Sequence, residues 1–248
     1  MPNLFDNATN TQGVIVYGGE SSSGYGMVVA EAPAYERPKR KETVYTVPGR
    51  NGVILFQEDA WEDVPRPYKV WLAEDANDTL VEKVDAFEAW INSKKGYTRL
   101  EDNFEPDIYR LAYYSGGDGF SNELTQYGEA VLTFTCRPER FLKTGETAVT
   151  VTNGSVLANP TKYVSMPLIH IEATNQTITV TINGKTITAT VADYINIDCE
   201  RQDAYRLVAE NKNTSISGSF PTIAPGNNAV TITGTATLVT ITPRYYTI

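Results

Sequence analysis

The sequence predicts a mainly β protein of two domains: an N-terminal β-rich domain with one amphipathic α-helix, residues 1–140, and a C-terminal antiparallel β-sandwich, residues 141–248. Three observations carry this expectation. Short apolar runs that alternate with polar residues recur along the chain, the period of half-buried strands. A helical period occurs once, near residues 79–93. Composition then shifts. Residues 1–140 hold 14 Lys and Arg against 23 Asp and Glu, while residues 141–248 hold seven of each and Thr rises from 9 to 21. A chain of 248 residues accommodates two domains of ordinary size without staples.

Taken in order, Gly13 to Tyr17 reads as a short strand and Gly18 to Gly26 as a flexible Gly/Ser loop. Met27 to Ala32 reads as a second strand. Thr43 to Val47 and Val53 to Phe56 alternate on either side of the turn Pro48-Gly49-Arg50-Asn51-Gly52, and Tyr68 to Ala73 is a further strand. Thr79 and Glu82 form the capping-box pattern at a helix start, and Leu80, Val84, Phe87 and Ile91 follow at spacings of four, three and four. Lys94, Lys95 and Gly96 suit its end. Strands are expected at Tyr97 to Leu100, Tyr109 to Tyr114 and Gly128 to Cys136, with a turn at Ser115 to Gly119.

From Gly145 the helical period is gone. Gln176 to Val191 centres on Asn183-Gly184, a strong two-residue hairpin signal. That turn pairs Val180 with Ile187 and Ile178 with Ala189, leaving Thr179, Thr181, Thr186 and Thr188 on the other face. Tyr194 to Cys199, Tyr205 to Ala209, Ala229 to Thr233 and Thr235 to Thr242 add strands, and Ala224 to Asn227 is a turn. Short strands at this spacing with one Thr-rich face describe a sandwich.

Candidate chemistry is sparse. Glu58, Asp59, Glu62 and Asp63 surround Trp61, and paired carboxylates beside an aromatic could serve a glycosidase. Four acids within six residues, closed by Pro65 and Pro67, read more simply as a solvated acidic loop. His170 is the one histidine, and no Gly-x-Ser-x-Gly elbow accompanies it. Gly116 to Gly119 lacks the Lys and the following helix of a phosphate loop. Cys136 and Cys199 each close an alternating strand and read as buried hydrophobes in a reducing compartment, a disulfide between them being the alternative. With one His and no Cys-x-x-Cys there is little to hold a metal. No catalytic, metal or cofactor site is assigned, and binding residues are left open.

An acidic chain of pI 4.8 argues against a protein whose task is holding DNA. The cluster Arg37, Lys39, Arg40 and Lys41 reads as a solvated edge or a contact for an acidic partner. The sequons at Asn7, Asn77, Asn153, Asn175 and Asn213 follow from the Thr content. No apolar run reaches a membrane span, and the N-terminus lacks a signal peptide's basic and apolar stretches, so a soluble, unexported chain is expected. A Thr-rich sandwich is also a lectin scaffold. Tyr163, Tyr194, Tyr205, Tyr245 and Tyr246 are then the aromatics available to stack on a sugar, since all three Trp lie in the first half.

In order and spacing, these segments resemble the distal tail (Dit) proteins of long, non-contractile-tailed bacteriophages, in their short form. The likeness rests on Val47 to Gly52, the helix near 79–93 and Leu132 to Phe141. In the second half it rests on Asn159 to Ile171, Thr177 to Ile187, Tyr194 to Arg206, Gly218 to Gly234 and the closing Pro243-Arg244. The resemblance implies a ring-forming N-terminal domain, a C-terminal sandwich of galectin-like topology, and a structural rather than enzymatic role. It also implies a homohexameric hub at the virion's tail tip with a central channel for DNA, assembled in the bacterial cytoplasm. Its expected neighbours are the tail-tube protein, the tail-associated or fibre protein, and receptor-binding or baseplate components. A carbohydrate-binding module for host-surface adhesion is the alternative reading.

Overall fold

The computed structural model describes residues 13–75, 77–117, 119–123, 127–207 and 210–248. The Asn7 sequon, Asp118 of the expected turn, and Val208 and Ala209 of the expected strand lie outside the described residues. The chain divides into two compact units, one running to Arg140 and the other spanning Phe141–Thr247.

The first unit contains β1 (Ile15–Tyr17), β2 (Glu20–Ser21), β3 (Met27–Val29), β4 (Arg40–Thr46), β5 (Val53–Trp61), β6 (Val64–Ala73), α1 (Leu80–Ser93), β7 (Thr98–Asp102), β8 (Ile108–Gly117), β9 (Ser121–Glu123) and β10 (Tyr127–Leu142). Its main sheet is antiparallel in the order β2-β1-β7-β8-β10-β6-β3, with β9 also on β10, while among the described residues β4 and β5 pair only with each other. Alternation sends Tyr68, Val70 and Leu72 of β6 and Ala130, Leu132 and Phe134 of β10 into one core, where α1 contributes Leu80, Phe87, Trp90 and Ile91. The core is aromatic: Phe134 meets Tyr17 and Tyr68 edge-on at 5.1 and 5.9 Å between centroids.

The helix starts as expected. Thr79 accepts from the Glu82 backbone N–H, and the Glu82 carboxylate accepts from the Thr79 N–H at 2.9 Å. Trp90 joins the buried stripe, and Val84 is half-buried. Lys83 is buried as well, its Nζ donating to the Ala73 carbonyl at 2.8 Å and to Asp75 at 2.7 Å. Lys94 then leaves the helix with extended backbone.

Three local expectations are corrected. Gly18 to Gly26 is not a flexible loop: it holds β2 and a 3₁₀ turn at Ser22–Tyr25. Buried Ser22 accepts from the Ile15 N–H, and Tyr25 stacks on Trp90 at 4.7 Å, so a stretch loop-like in composition is pinned by packing. Glu58 and Asp59 lie on strand β5 rather than in a loop, and Pro65 and Pro67 lie on β6. Among the described residues β3 pairs with only Val70–Leu72 on that edge of β6, so at the two prolines a missing N–H removes no ladder bond seen there. Ser115 to Gly117 continues β8 instead of turning. A Cβ on Gly117 would lie 2.1 Å from the Val131 carbonyl, so glycine here serves a close strand approach.

The second unit is a two-sheet sandwich. Its strands are β11 (Val149–Thr150), β12 (Val156–Asn159), β13 (Leu168–Glu172), β14 (Gln176–Ile182), β15 (Lys185–Val191), β16 (Tyr194–Asp198), β17 (Asp203–Arg206), β18 (Glu210–Asn211), β19 (Ile216–Gly218), β20 (Gly226–Thr233) and β21 (Leu238–Thr242). One sheet runs β11-β21-β13-β16-β17-β18 and the other β12-β20-β14-β15-β19. Val180 pairs with Ile187 and Ile178 with Ala189, as the turn predicts, with Asn183 at φ 51° and Gly184 at φ 73°. Thr179–Thr188 and Thr181–Thr186 bridge their hydroxyls at 3.0 and 2.9 Å on the opposite face. The core is aliphatic, built from Ile169, Ile171, Ile178, Val180, Ile195, Ile197 and their neighbours.

Candidate functional site

The acidic and basic clusters of the sequence meet on one feature, the two-stranded arm β4–β5. Arg40 reaches Asp59 at 3.4 Å and stands over the Trp61 ring at 4.7 Å, and Gln57 donates to Glu42 at 3.4 Å. Asp63 accepts from the Tyr97 hydroxyl and pushes that phenol up to about 12. These carboxylates are exposed on a strand and at its base, unlike the two-carboxylate cleft of a glycosidase.

Toward its tip the arm becomes apolar. Directly opposed residues of a hairpin share a face. The register Thr43↔Phe56 and Tyr45↔Ile54 gathers Thr43, Tyr45, Ile54 and Phe56 on one side. Val44↔Leu55 and Thr46↔Val53 gather the aliphatics on the other. Phe56 is 60% exposed and Tyr45 55%, and their rings meet edge-on at 5.7 Å. Val44, Val53 and Leu55 are exposed too.

A second constellation, invisible as a motif, is a buried ionic cluster in the first unit. Arg66 donates to Asp102 at 2.8 Å, to Glu105 at 3.0 Å and to the Tyr68 hydroxyl at 2.7 Å, while Tyr68 donates to Asp102 at 2.7 Å. Arg110 and Arg140 both donate to Glu105. Asp102 also accepts from the N–H groups of Phe104 and Glu105, closing the turn after β7. Burial alone would raise the Asp102 and Glu105 carboxyls. The guanidiniums around them more than offset it and hold both below the usual range. Burial and the Asp102 charge drive the Tyr68 phenol upward. Every group in this cluster is engaged with another, so it ties β6, β7, β8 and β10 together rather than offering a reactive atom.

In the second unit His170 shares Nδ1 with Asn196 at 2.8 Å and Nε2 with Glu172 at 3.2 Å, with no serine or cysteine nucleophile among those partners. Four of the five tyrosines considered for sugar stacking are already engaged, Tyr205 being the exception. Tyr245 is buried, Tyr163 stacks on Tyr246 at 5.6 Å, and Tyr194 lies beside His170 with Arg206 over its ring at 5.4 Å. Asp198 holds Arg244 through two bonds of 2.8 and 2.9 Å. Both cysteines are buried free thiols, pushed up by burial to about 11 for Cys136 and about 12 for Cys199. Among the described residues no three His, Cys, Asp or Glu side chains gather as around a metal, and no helix is long and apolar enough to cross a membrane.

The sequence matches no protein family and no curated protein. The fold does find a counterpart. The chain is similar to the crystal structure of the SPP1 Dit (gp 19.1) protein, described as a paradigm of hub adsorption apparatus in Gram-positive infecting phages. The TM-score is 0.67 at 14% identity, covering 95% of this chain and 99% of that one.

Proposed function

We propose that this chain is a structural protein of a bacteriophage tail tip, a hub that joins the tail tube to the tail-associated or fibre protein. The observation that carries the reading is the fold likeness to a phage hub protein across both units, nearly end to end on each side. In this reading six copies close into a ring through the first unit, with a central channel through which DNA passes. The second unit, read as galectin-like, projects outward toward receptor-binding or baseplate components. The protein works in the virion, assembles in the host cytoplasm, needs no cofactor and catalyses no reaction. The surplus of carboxylates in residues 1–140 suits a conduit wall, because it repels phosphates instead of trapping them.

Light scattering across a concentration series, with negative-stain images of the same sample, tests the ring. Six copies of 27.4 kDa give about 164 kDa and an open centre. A mass of one copy at every concentration is the opposing result. Duplex DNA titrated into the assembly is expected to show no salt-sensitive binding, and tight binding would remove the conduit argument.

A further inference from the structure

The chain contains three Asn-Gly pairs, Asn51-Gly52, Asn153-Gly154 and Asn183-Gly184, and the fold holds them in three different ways. We propose that Asn51, in the turn of the β4–β5 arm, is a site of spontaneous modification in the native protein. It loses ammonia and becomes aspartate and isoaspartate, while Asn153 and Asn183 are held back by their surroundings. This inference is independent of the ring reading.

The reaction needs a glycine next in the chain, because no side chain then shields the backbone nitrogen. That nitrogen gives up its proton and bonds to the asparagine side-chain carbonyl carbon. The side-chain nitrogen takes a proton and leaves as ammonia, so a five-membered succinimide remains. Water then adds to one of the two ring carbonyls and breaks its bond to the ring nitrogen. Opening on one side gives aspartate. Opening on the other gives isoaspartate, whose main chain runs through the former side chain. The net change is ammonia out and water in, with no oxidant or reductant. It requires a free side-chain amide, a backbone nitrogen not held by an acceptor, and rotation about the asparagine Cα–C bond.

All three asparagines are exposed, so exposure does not separate them. Asn153 fails the first two requirements. Its Oδ1 accepts from the Ile232 N–H at 3.1 Å, and the Gly154 N–H donates to the Val230 carbonyl at 2.9 Å. Both reacting groups are thereby tied to β20, a strand flanked by β12 and β14. Asn183 fails the third. It occupies a two-residue turn at φ 51°, between the directly paired Ile182 and Lys185. Rotation there would undo a tight turn whose strands bury Val180, Ile182 and Ile187.

Asn51 meets every requirement. Among the described residues its side chain makes no hydrogen bond, and the Gly52 N–H donates to no carbonyl. The turn hydrogen bond of this connection, Arg50 N–H to the Val47 carbonyl at 3.2 Å, closes before Asn51. Residues 47–52 join the paired Thr46 and Val53, so the longer connection can absorb a rotation at residue 51. The strands behind it resist little, because every residue of β4 is exposed and a lone two-stranded hairpin is marginally stable. The product adds a carboxylate next to Arg50 on an arm that already carries Glu58 and Asp59. Isoaspartate also inserts a methylene into the main chain between β4 and β5.

The test stores the purified native protein in mildly alkaline buffer beside a sample unfolded in guanidinium chloride. Both are digested at intervals, and the three Asn-Gly peptides are followed by mass spectrometry with electron-transfer fragmentation to separate isoaspartate from aspartate. In the native protein Asn51 is expected to convert at least about tenfold faster than Asn153 and Asn183, a barrier about 1.4 kcal/mol lower. In the unfolded sample the three rates are expected to converge. Native conversion of Asn153 or Asn183 as fast as that of Asn51 overturns the proposal. A ranking that persists unchanged after unfolding also overturns it, since it would then belong to the sequence and not to the fold. As a companion, Gly52→Ala is expected to slow conversion at Asn51 about tenfold and leave the other two rates as they are. Undiminished conversion at Asn51 in that variant rules out the succinimide route.

Discussion

The two units solve the burial problem in different ways. The second unit closes on itself: two sheets face each other, Ile, Val and Ala fill the space between, and threonines on the outside bridge one another. The first unit packs one face of its sheet with aromatics and a helix, buries two carboxylates among arginines, and extends an arm with apolar groups on both sides. The sandwich fills the space between its sheets with its own aliphatic residues and leaves only scattered apolar side chains such as Val156 and Leu207 exposed among the described residues. The arm-bearing unit exposes a contiguous group of apolar side chains that no described residue covers, the kind of patch that marks an interaction site.

That contrast can be broken one unit at a time. Asp102→Ala leaves the Tyr68 hydroxyl without its acceptor and Arg66 with Glu105 as its one remaining carboxylate, and removing one partner of a buried ion pair costs about 3–5 kcal/mol. In denaturant unfolding, the first unit is expected to lose that stability while the transition of the sandwich stays in place. A common shift of both transitions would show that the units unfold as one. Phe87→Ala is expected to cost about 3–5 kcal/mol in the first unit, and Ile197→Ala about 2–5 kcal/mol in the second, each by opening a cavity. A loss under about 1 kcal/mol for Phe87→Ala would move the helix's buried face elsewhere.

Acid sharpens the comparison. Asp102, Glu105 and Asp198 all titrate lower in the folded chain than in the unfolded one. Their contribution is complete above the ordinary carboxylate range and is lost as pH falls through the depressed folded values, so both units weaken below about pH 4. The first unit loses Asp102 and Glu105, with the exposed Glu20, Asp75 and Glu82 lowered as well, and the sandwich loses Asp198. The melting temperature of the first unit is therefore expected to fall further between about pH 5 and pH 3. Equal falls would mean that the buried cluster adds nothing beyond a single ion pair. The smallest effects are local. Gly184→Ala, at φ 73°, is expected to cost about 1–2 kcal/mol in the sandwich, and Thr79→Ala about 1 kcal/mol at the helix start, both read from denaturant midpoints.

The same contrast explains what could be read in advance. The β14–β15 hairpin and the α1 cap were legible because turn type, register and capping are fixed by residues a few positions apart. The strands of the arm and the turn between them were legible as well. Their exposure was not, because alternation tells which side of a strand is apolar but not whether anything covers it. The ionic cluster joins Arg66, Asp102, Glu105, Arg110 and Arg140, which no short motif connects. The available signal was positional: Arg66 and Arg110 occupy inward-facing places, two residues before Tyr68 and Ala112, where an unpaired charge would not survive.

The two thiols carry a consequence of their own. Nucleophilic attack and oxidation proceed through the thiolate, and with both thiols pushed up by burial, to about 11 and about 12, the thiol form dominates at pH 7. Both sulfurs are also buried. A tail protein of the kind proposed is made where thiols stay reduced and works where they do not. This chain can cross between those two worlds with no covalent change at either sulfur, so its fold keeps no record of which side it is on.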